Sequence, residues 1–141
     1  MAADTLNSKV IGKGALFPIV LSTNKEGKTG WYPADGDRAL IVNNLNGILI
    51  YMIGERFRQE DFGTRLWECI EEPNTQAQAF LVNTFLRDAI SSWEDRIQFD
   101  HSEVTREANK VHIQMYYTIL QLDQPASLGI TYDNLTNTLT Q

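Results

Sequence analysis

The segment from Gly54 to Glu72, GERFRQEDFGTRLWECIEE, concentrates side chains that could do acid–base chemistry. It holds six carboxylates and three arginines around a Phe-Gly pair and a Leu-Trp pair. Glycoside hydrolysis needs two carboxyl groups about 5–10 Å apart, one of them with a raised pKa. Glu55, Asp61 and Glu68 are the candidates, but nothing in their spacing selects an acid and a nucleophile. The sequence therefore assigns no catalytic residue.

Other catalytic and metal-binding patterns are also missing. The two histidines, His101 and His112, are eleven residues apart, and no acid cluster frames both. Surface histidines are thus favoured over metal ligands. A single cysteine, Cys69, excludes an internal disulfide and a Cys-pair zinc site. Without a P-loop or a nucleophile elbow, we expect no cofactor and no metal.

The charge is unevenly distributed along the chain. The 141 residues carry a net charge of −6, and residues 60–107 hold eleven acids and four bases. Such a surface repels phosphates, which disfavours nucleic acid, and it attracts basic protein partners. A solvated acidic face that only maintains solubility is the alternative. With no signal-peptide pattern and no apolar run long enough for a bilayer, we expect synthesis in the cytoplasm and no membrane insertion.

Helical periodicity marks the first predicted helix, within residues 37–53. Asp37 is a plausible N-cap, and Gly54 is placed to end the helix at the C′ position. The apolar stripe that defines the periodicity consists of Ile41, Leu45, Ile48, Leu49 and Met52.

Two more helices are predicted before the pattern changes. A short one covers about residues 64–71 and is ended by Pro73 and Asn74. A long one begins with Thr75 as a possible cap and extends to the region of Trp93. Its apolar face has Val82, Leu86, Ala89 and Trp93 at helical spacing.

A period of two follows, which predicts a β-hairpin over residues 97–121. One face of the second strand carries Val111, Ile113, Met115, Tyr117 and Ile119. The segment TREANK supplies the loop, with Ala108-Asn109 near its tip.

These elements predict an α+β protein in which about three helices pack on a small antiparallel sheet, the hairpin plus a possible edge strand. We expect a flexible N-terminal segment at residues 1–14, one domain at 15–121, and a C-terminal strand or tail at 122–141. Pro18 makes the run ALFPIVLS an edge strand or an extended docking segment. An exposed sheet edge would be a template for a strand of another chain.

Three motifs stand in a distinctive order: GER at Gly54–Arg56, DFGTRL at Asp61–Leu66 and WEDRI at Trp93–Ile97. With FP near the start and the layout of helices followed by a hairpin, residues 15–121 resemble the baseplate wedge and sheath-initiator family of contractile phage tails and contractile injection systems. This family is also known as the lysozyme-like baseplate family. The residues that carry the resemblance structurally are Gly54, Glu55, Arg56, Asp61, Phe62, Gly63 and Leu66.

The resemblance implies a structural, non-enzymatic baseplate component that joins the wedge core bundle and initiates sheath assembly by strand exchange. The family's Glu-Pro-Arg triplet stands here as Glu94-Asp95-Arg96. Glu94 and Arg96 are expected to contact the core bundle, although an intramolecular pair that fastens helix to sheet is the alternative. Asp95 lacks the fixed φ of proline, so the long helix is expected to run further. The five apolar strand residues from Val111 to Ile119 are expected to pair with a sheath strand.

By the same resemblance, the partners are sheath subunits and baseplate wedge proteins, with tube proteins as a further contact. Six copies in a ring-shaped assembly are implied, within a phage tail baseplate or a contractile injection particle. Two other hypotheses stay open. One is a peptidoglycan-cleaving, lysozyme-like enzyme, and the other is a generic adaptor that binds through its acidic face.

Overall fold

The computed structural model describes residues 2–71, 76–133 and 138–140 of the chain. Its helices are α1 (Ala2–Ile11), α2 (Arg38–Ile50), α3 (Leu66–Ile70) and α4 (Gln76–Trp93). Its strands are β1 (Lys13–Gly14), β2 (Ser22–Thr23), β3 (Thr29–Gly30), β4 (Ala34–Asp35), β5 (Ile97–Glu107), β6 (Lys110–Ile119), β7 (Gln124–Asp133) and β8 (Thr138–Thr140). The predicted α+β class is confirmed, and the described residues form one helix more than expected and two additional small sheets.

The chain forms two compact units, Met1–Leu45 and Asn46–Gln141, with the boundary inside α2. The domain boundaries predicted at residues 14 and 121 stay a prediction. None of the helices in the described ranges is long and apolar enough to cross a membrane.

The first unit contains α1 and two antiparallel two-stranded sheets, β1 with β4 and β2 with β3. Helix α1 lies where no helix was predicted, because its polar composition gives little amphipathic signal. Ser8 Oγ donates to Asp35 Oδ1 at 2.5 Å, and this bond lowers the pKa of the Asp35 carboxyl. The contact therefore connects α1 to β4.

The apolar run ALFPIVLS is not a strand, so this part of the prediction was wrong. Residues 15–21 lie between β1 and β2, and the side chains of Phe17, Ile19, Val20 and Leu21 are exposed. The alternative of a docking segment stays a prediction.

Helix α2 has the predicted cap and most of the predicted buried stripe. The Ala39 N–H donates to Asp37 Oδ1 at 2.9 Å, which satisfies one of the amides at the helix start. The buried stripe residues are Ile41, Leu45, Ile48 and Leu49. Helix α2 ends at Ile50, so Gly54 is not its C′ residue, and Met52 is 44% exposed. The chain beyond α2 instead forms a parallel bridge between Met52 and Thr64.

Helix α3 is shorter than predicted, because Thr64 belongs to that bridge and Arg65 has non-helical angles (φ −98°, ψ 17°). The predicted roles of Pro73, Asn74 and Thr75 lie outside the described residues. Helix α4 buries Val82, Leu86 and Ala89, as its periodicity predicted, together with Gln78 and Ile90, whereas Trp93 is only half-buried.

The long helix does not run further at Asp95, contrary to the expectation. Helix α4 ends at Trp93, and the Glu94 N–H makes the final helical bond to the Ile90 carbonyl at 2.8 Å. The Glu94 carboxylate accepts from the Arg96 backbone N–H at 3.3 Å, so a side-chain contact stabilises the turn without proline.

The main sheet is antiparallel and has the order β5-β6-β7-β8. The predicted hairpin is confirmed, with a turn of only two residues, Ala108 and Asn109, so that residues 105–107 belong to β5. The final segment supplies β7, a full ten-residue strand, and β8. One face of the sheet is buried and includes Ile97, Phe99, Val111, Ile113, Met115, Tyr117, Ile119, Leu128, Ile130 and Tyr132.

Truncation of Leu86 tests the packing of α4. Leu86 is 0% exposed, whereas Phe80 on the same helix is 71% exposed. We expect Leu86→Ala to lower the free energy of unfolding by about 2–5 kcal/mol, because it leaves a cavity in the core. Phe80→Ala is the matched control and should change it by no more than about 0.5 kcal/mol. Urea unfolding followed by circular dichroism measures both, and equal losses would contradict this packing.

Candidate protein-interaction site

The three motifs of the sequence meet in one aromatic cluster of the second unit. The Phe62 ring lies between two others, with centroid distances of 5.9 Å to Tyr51 and 4.9 Å to Trp93, both edge-on. The Arg56 guanidinium lies 4.4 Å from the Phe62 centroid. We name Tyr51, Arg56, Phe62 and Trp93 the signature corner, because GER, DFGTRL and WEDRI each contribute one of its residues.

Gly63 permits the close backbone approach beneath this corner. Its φ is +116°, and a Cβ atom there would collide with the Tyr51 carbonyl oxygen. That same oxygen accepts the Thr64 N–H at 3.0 Å. A side chain at position 63 would therefore strain the backbone and disturb the bridge to Met52.

The GER motif orders the loop after α2. Glu55 Oε2 accepts the Met52 N–H at 3.0 Å, and the Glu55 N–H donates to the Met52 carbonyl at 3.1 Å. Gly54 has φ +93°, and its N–H donates to the Glu60 carbonyl at 2.6 Å. Glu55, once a catalytic candidate, thus has a structural role in shaping the loop.

The remaining catalytic candidates do not form an acid and nucleophile pair. Glu68 accepts two bonds from Arg65, at 3.1 Å and 2.7 Å, and these lower the pKa of the Glu68 carboxyl. A general acid in glycoside hydrolysis requires the opposite shift. Asp61 is exposed, and Leu66, the last residue of DFGTRL, is buried in the core.

The histidines lie on the polar face of the main sheet. His101 stacks on Tyr116 with ring centroids 4.6 Å apart, and His112 Nδ1 lies 2.9 Å from Thr131 Oγ1. Across the described ranges, His, Cys, Asp and Glu form no group of three or more that could hold a metal ion.

Glu94 and Arg96 form a close intramolecular pair. Arg96 Nε donates to Glu94 Oε1 at 2.6 Å, and Nη2 donates to Oε2 at 2.5 Å. Hydrogen bonding to Glu94 raises the pKa of the Arg96 guanidinium. The Glu94 side chain is 3% exposed and that of Arg96 is 22% exposed. The Arg96 carbonyl also accepts the Leu120 N–H at 2.9 Å, so this turn fastens the end of α4 to the sheet.

Strand β6 cannot pair with another chain in the predicted way. It pairs along its length with β5 on one side and with β7 on the other. The five residues proposed for sheath pairing, Val111, Ile113, Met115, Tyr117 and Ile119, have buried side chains. The predicted alternation of β6 is correct, but the prediction placed a free edge on β6, which lies inside the sheet.

Helix α4 covers part of the outer edge of β5. Asn83 Oδ1 accepts the Ser102 backbone N–H at 2.9 Å, so this N–H faces away from β6. Ser102 is opposite Met115, and Met115 is opposite Leu128. In an antiparallel strand, the N–H and C=O of one residue point to the same side. The backbone groups of Met115 therefore point away from β5 and toward β7. The N–H and C=O of its partner Leu128 in turn point toward β6.

The same alternation leaves an outer edge on β7. The backbone N–H and C=O groups of its odd-numbered residues point away from β6. At the end of the strand, those of Thr131 and Asp133 point toward β8. Before the part of β7 that pairs with β8, the outward backbone groups belong to Pro125, Ser127 and Gly129. Within the described residues, the segment from Pro125 to Ile130 therefore has no strand paired on its outer edge.

The sequence contained a signal for strand β7 that the prediction did not use. Ala126, Leu128, Ile130 and Tyr132 alternate with smaller or polar residues over PASLGITYD. The three larger of these residues are buried. The sequence had no signal for the bond between Asn83 of α4 and Ser102 of β5, because these residues are nineteen positions apart.

The model of the baseplate wedge protein gp25 family matches residues 35–124. The chain belongs to this family. The residues that match the family model include all three motifs, the Glu94–Arg96 pair and the β5–β6 hairpin. A search of the curated proteins finds no significant match.

Two solved structures show the same fold as this gp25 family member. One is a Geobacter sulfurreducens crystal structure provisionally described as a tail lysozyme, with a TM-score of 0.59 and 22% identity over 66% of this chain and 86% of that chain. The other is a cryo-EM structure of the anti-feeding prophage baseplate, six-fold symmetrised. It has a TM-score of 0.59 and 15% identity, and the match covers 91% of this chain and 90% of that chain.

Substitution of Gly63 tests the backbone requirement beneath the signature corner. We expect Gly63→Ala to lower the free energy of unfolding by about 2 kcal/mol or more, because φ +116° and the Tyr51 carbonyl both oppose a side chain. The matched control is Gly47→Ala in α2, where a Cβ meets nothing within 4 Å. It should raise stability by about 0.5–1 kcal/mol. Chemical denaturation of both variants measures the difference, and a stabilising Gly63→Ala would contradict the geometry.

Removal of Arg96 tests the buried pair. Arg96→Leu leaves the Glu94 carboxylate buried without its charge partner, at an expected cost of about 3 kcal/mol, since Arg96 is only partly exposed. Arg87→Leu on exposed α4 surface is the control and should cost less than about 1 kcal/mol. Thermal unfolding at neutral pH compares the variants. Equal effects at positions 96 and 87 would show that the pair contributes nothing to the stability of the turn.

Proposed function

We propose that this gp25 family member is a structural, non-enzymatic component that joins the wedge core bundle and initiates sheath assembly by strand exchange. The open outer edge of β7 is the observation that carries the proposal. An unpaired row of backbone donors and acceptors is a template for an incoming strand, whose backbone supplies affinity and whose side chains supply specificity.

The proposed sheath strand pairs with residues 125–130 of β7 rather than with β6. Ser127 and Gly129 supply outward N–H groups, whereas Pro125 has none. The incoming strand would therefore be centred on residues 127–129. This assignment keeps the mechanism that the family resemblance implied and moves it to β7, whose outer side has no paired strand at Ser127 and Gly129 within the described residues.

Glu94 and Arg96 are proposed to contact the core bundle while they remain paired with each other. A bidentate carboxylate–guanidinium pair holds the Arg96 fork in one orientation, and the exposed part of that fork is then presented without further ordering. The acidic surface of residues 60–107 would steer basic regions of wedge proteins toward this end of α4.

The proposed setting is a phage tail baseplate or a contractile injection particle, with six copies in a ring. Sheath subunits and wedge proteins are the partners, and tube proteins are a further proposed contact. A peptidoglycan-cleaving activity is disfavoured, because the carboxylate of Glu55 bonds to the Met52 N–H and that of Glu68 bonds to Arg65. A generic acidic adaptor would bind through charge alone and would not need the edge of β7.

Replacement of one outward backbone donor tests the strand-exchange proposal. Ser127→Pro removes the outward N–H of an exposed residue and, because that N–H does not bond to β6, should leave the fold intact. Ser127→Ala is the control, since it changes the side chain and keeps the N–H. Each variant replaces the natural protein in cells that produce the whole particle, and electron microscopy counts sheathed tubes and bare baseplates.

We expect Ser127→Pro to give baseplates with few sheathed tubes and Ser127→Ala to give normal particles. Incorporation of the variant into baseplates, measured by immunoblot, shows that folding and wedge binding persist. Normal sheathing with Ser127→Pro would contradict strand exchange at β7. Loss of sheathing with Ser127→Ala as well would assign the effect to the side chain.

A further inference from the structure

A small cleft lies between α4 and the segment of residues 61–65, next to the signature corner. Asp61 and Thr64 line it from one side, and Phe85, Asp88 and Trp93 line it from α4. Every lining residue belongs to the second unit. We propose that this cleft binds one basic side chain, a lysine or an arginine, presented by a partner protein.

Two carboxylates give the cleft its charge. Asp61 and Asp88 come from separate segments and both are exposed. Neither carboxylate forms an ion pair or a side-chain hydrogen bond with another described residue. The cleft therefore presents two carboxylates that no described side chain pairs with, and an incoming cation would gain charge-assisted bonds there.

Thr64, one of the residues that line the cleft, has an unused polar group. Thr64 is 1% exposed, and its Oγ1 has no hydrogen-bond partner in the parts of the chain that the structure describes. A buried hydroxyl without a partner is costly. An ammonium or guanidinium group has several donors, and one of them can satisfy this oxygen while others reach the carboxylates.

The apolar walls select a cation with an aliphatic stem. Phe85, Ala89 and Trp93 line the α4 side. Lysine and arginine pack their methylene groups on such surfaces while their charged ends reach polar groups. A bare metal ion would gain nothing from these walls, and an anion would be repelled by Asp61 and Asp88.

Arg65 also lines the cleft but does not cancel its charge. Its guanidinium is bound by Glu68 through two bonds and lies 4.9 Å from the Phe85 centroid. That pair is internally neutral. The inference goes beyond the proposed function and holds whether or not a strand pairs with β7.

The test is an NMR titration of the full chain with N-acetyl-lysine methylamide. N-acetyl-norleucine methylamide is the matched probe, because it keeps an apolar stem and lacks the ammonium group. We expect saturable shifts at Gly63, Ala89 and the Trp93 indole with the lysine probe only. N-acetyl-arginine methylamide should shift the same signals.

Variants assign the binding to the cleft. Asp61→Asn/Asp88→Asn should weaken the lysine probe at least about tenfold, and Thr64→Val should weaken it less. Glu103→Gln/Asp123→Asn removes the same charge from exposed positions elsewhere and should leave the affinity unchanged. The spectra of all variants report whether the fold is retained.

Three outcomes would overturn the proposal. The first is no saturable shift at the cleft with either basic probe. The second is an equal response to norleucine, which would show apolar binding without charge recognition. The third is equal weakening by the control pair, which would show general attraction to an acidic surface.

Discussion

The pairing of β6 on both sides is the constraint on which the rest of the second unit depends. Strand β6 is bonded to both β5 and β7, and its five side chains Val111, Ile113, Met115, Tyr117 and Ile119 are buried. With β6 occupied, any exchange of strands has to use an outer edge. The outer edge of β5 is less available for such an exchange, because the Ser102 N–H on that edge already bonds to Asn83 of α4.

The signature corner explains why separate motifs occur in a fixed order. The Phe62 ring needs Tyr51 and Trp93 as neighbours, and Gly63 allows the chain to approach the Tyr51 carbonyl closely enough to place that ring. Immediately after Trp93, the turn at Glu94 and Arg96 directs the chain into β5. The stretch rich in carboxylates is thus a structural corner, where Glu55 bonds to the backbone and Glu68 bonds to an arginine.

The elements with strong periodicity were predictable from the sequence, and their boundaries were not. The buried residues of α2 and α4 and the alternation of β6 follow directly from spacing, since burial of one face imposes that spacing. The end of α2 depends on the distant Thr64, and the end of α4 depends on the contact of Glu94 with Arg96. The free edge could not be derived at all from β6, because a period of two reports which face is buried and carries no information about neighbours.

A cryo-EM structure of the assembled particle would show whether a sheath strand pairs with β7. We expect backbone density from a sheath subunit beside Ser127 and Gly129 of β7, with the Glu94–Arg96 turn facing the wedge core bundle. An edge of β7 that is covered by residues of the same chain, or that faces solvent in a fully sheathed particle, would contradict strand exchange at β7.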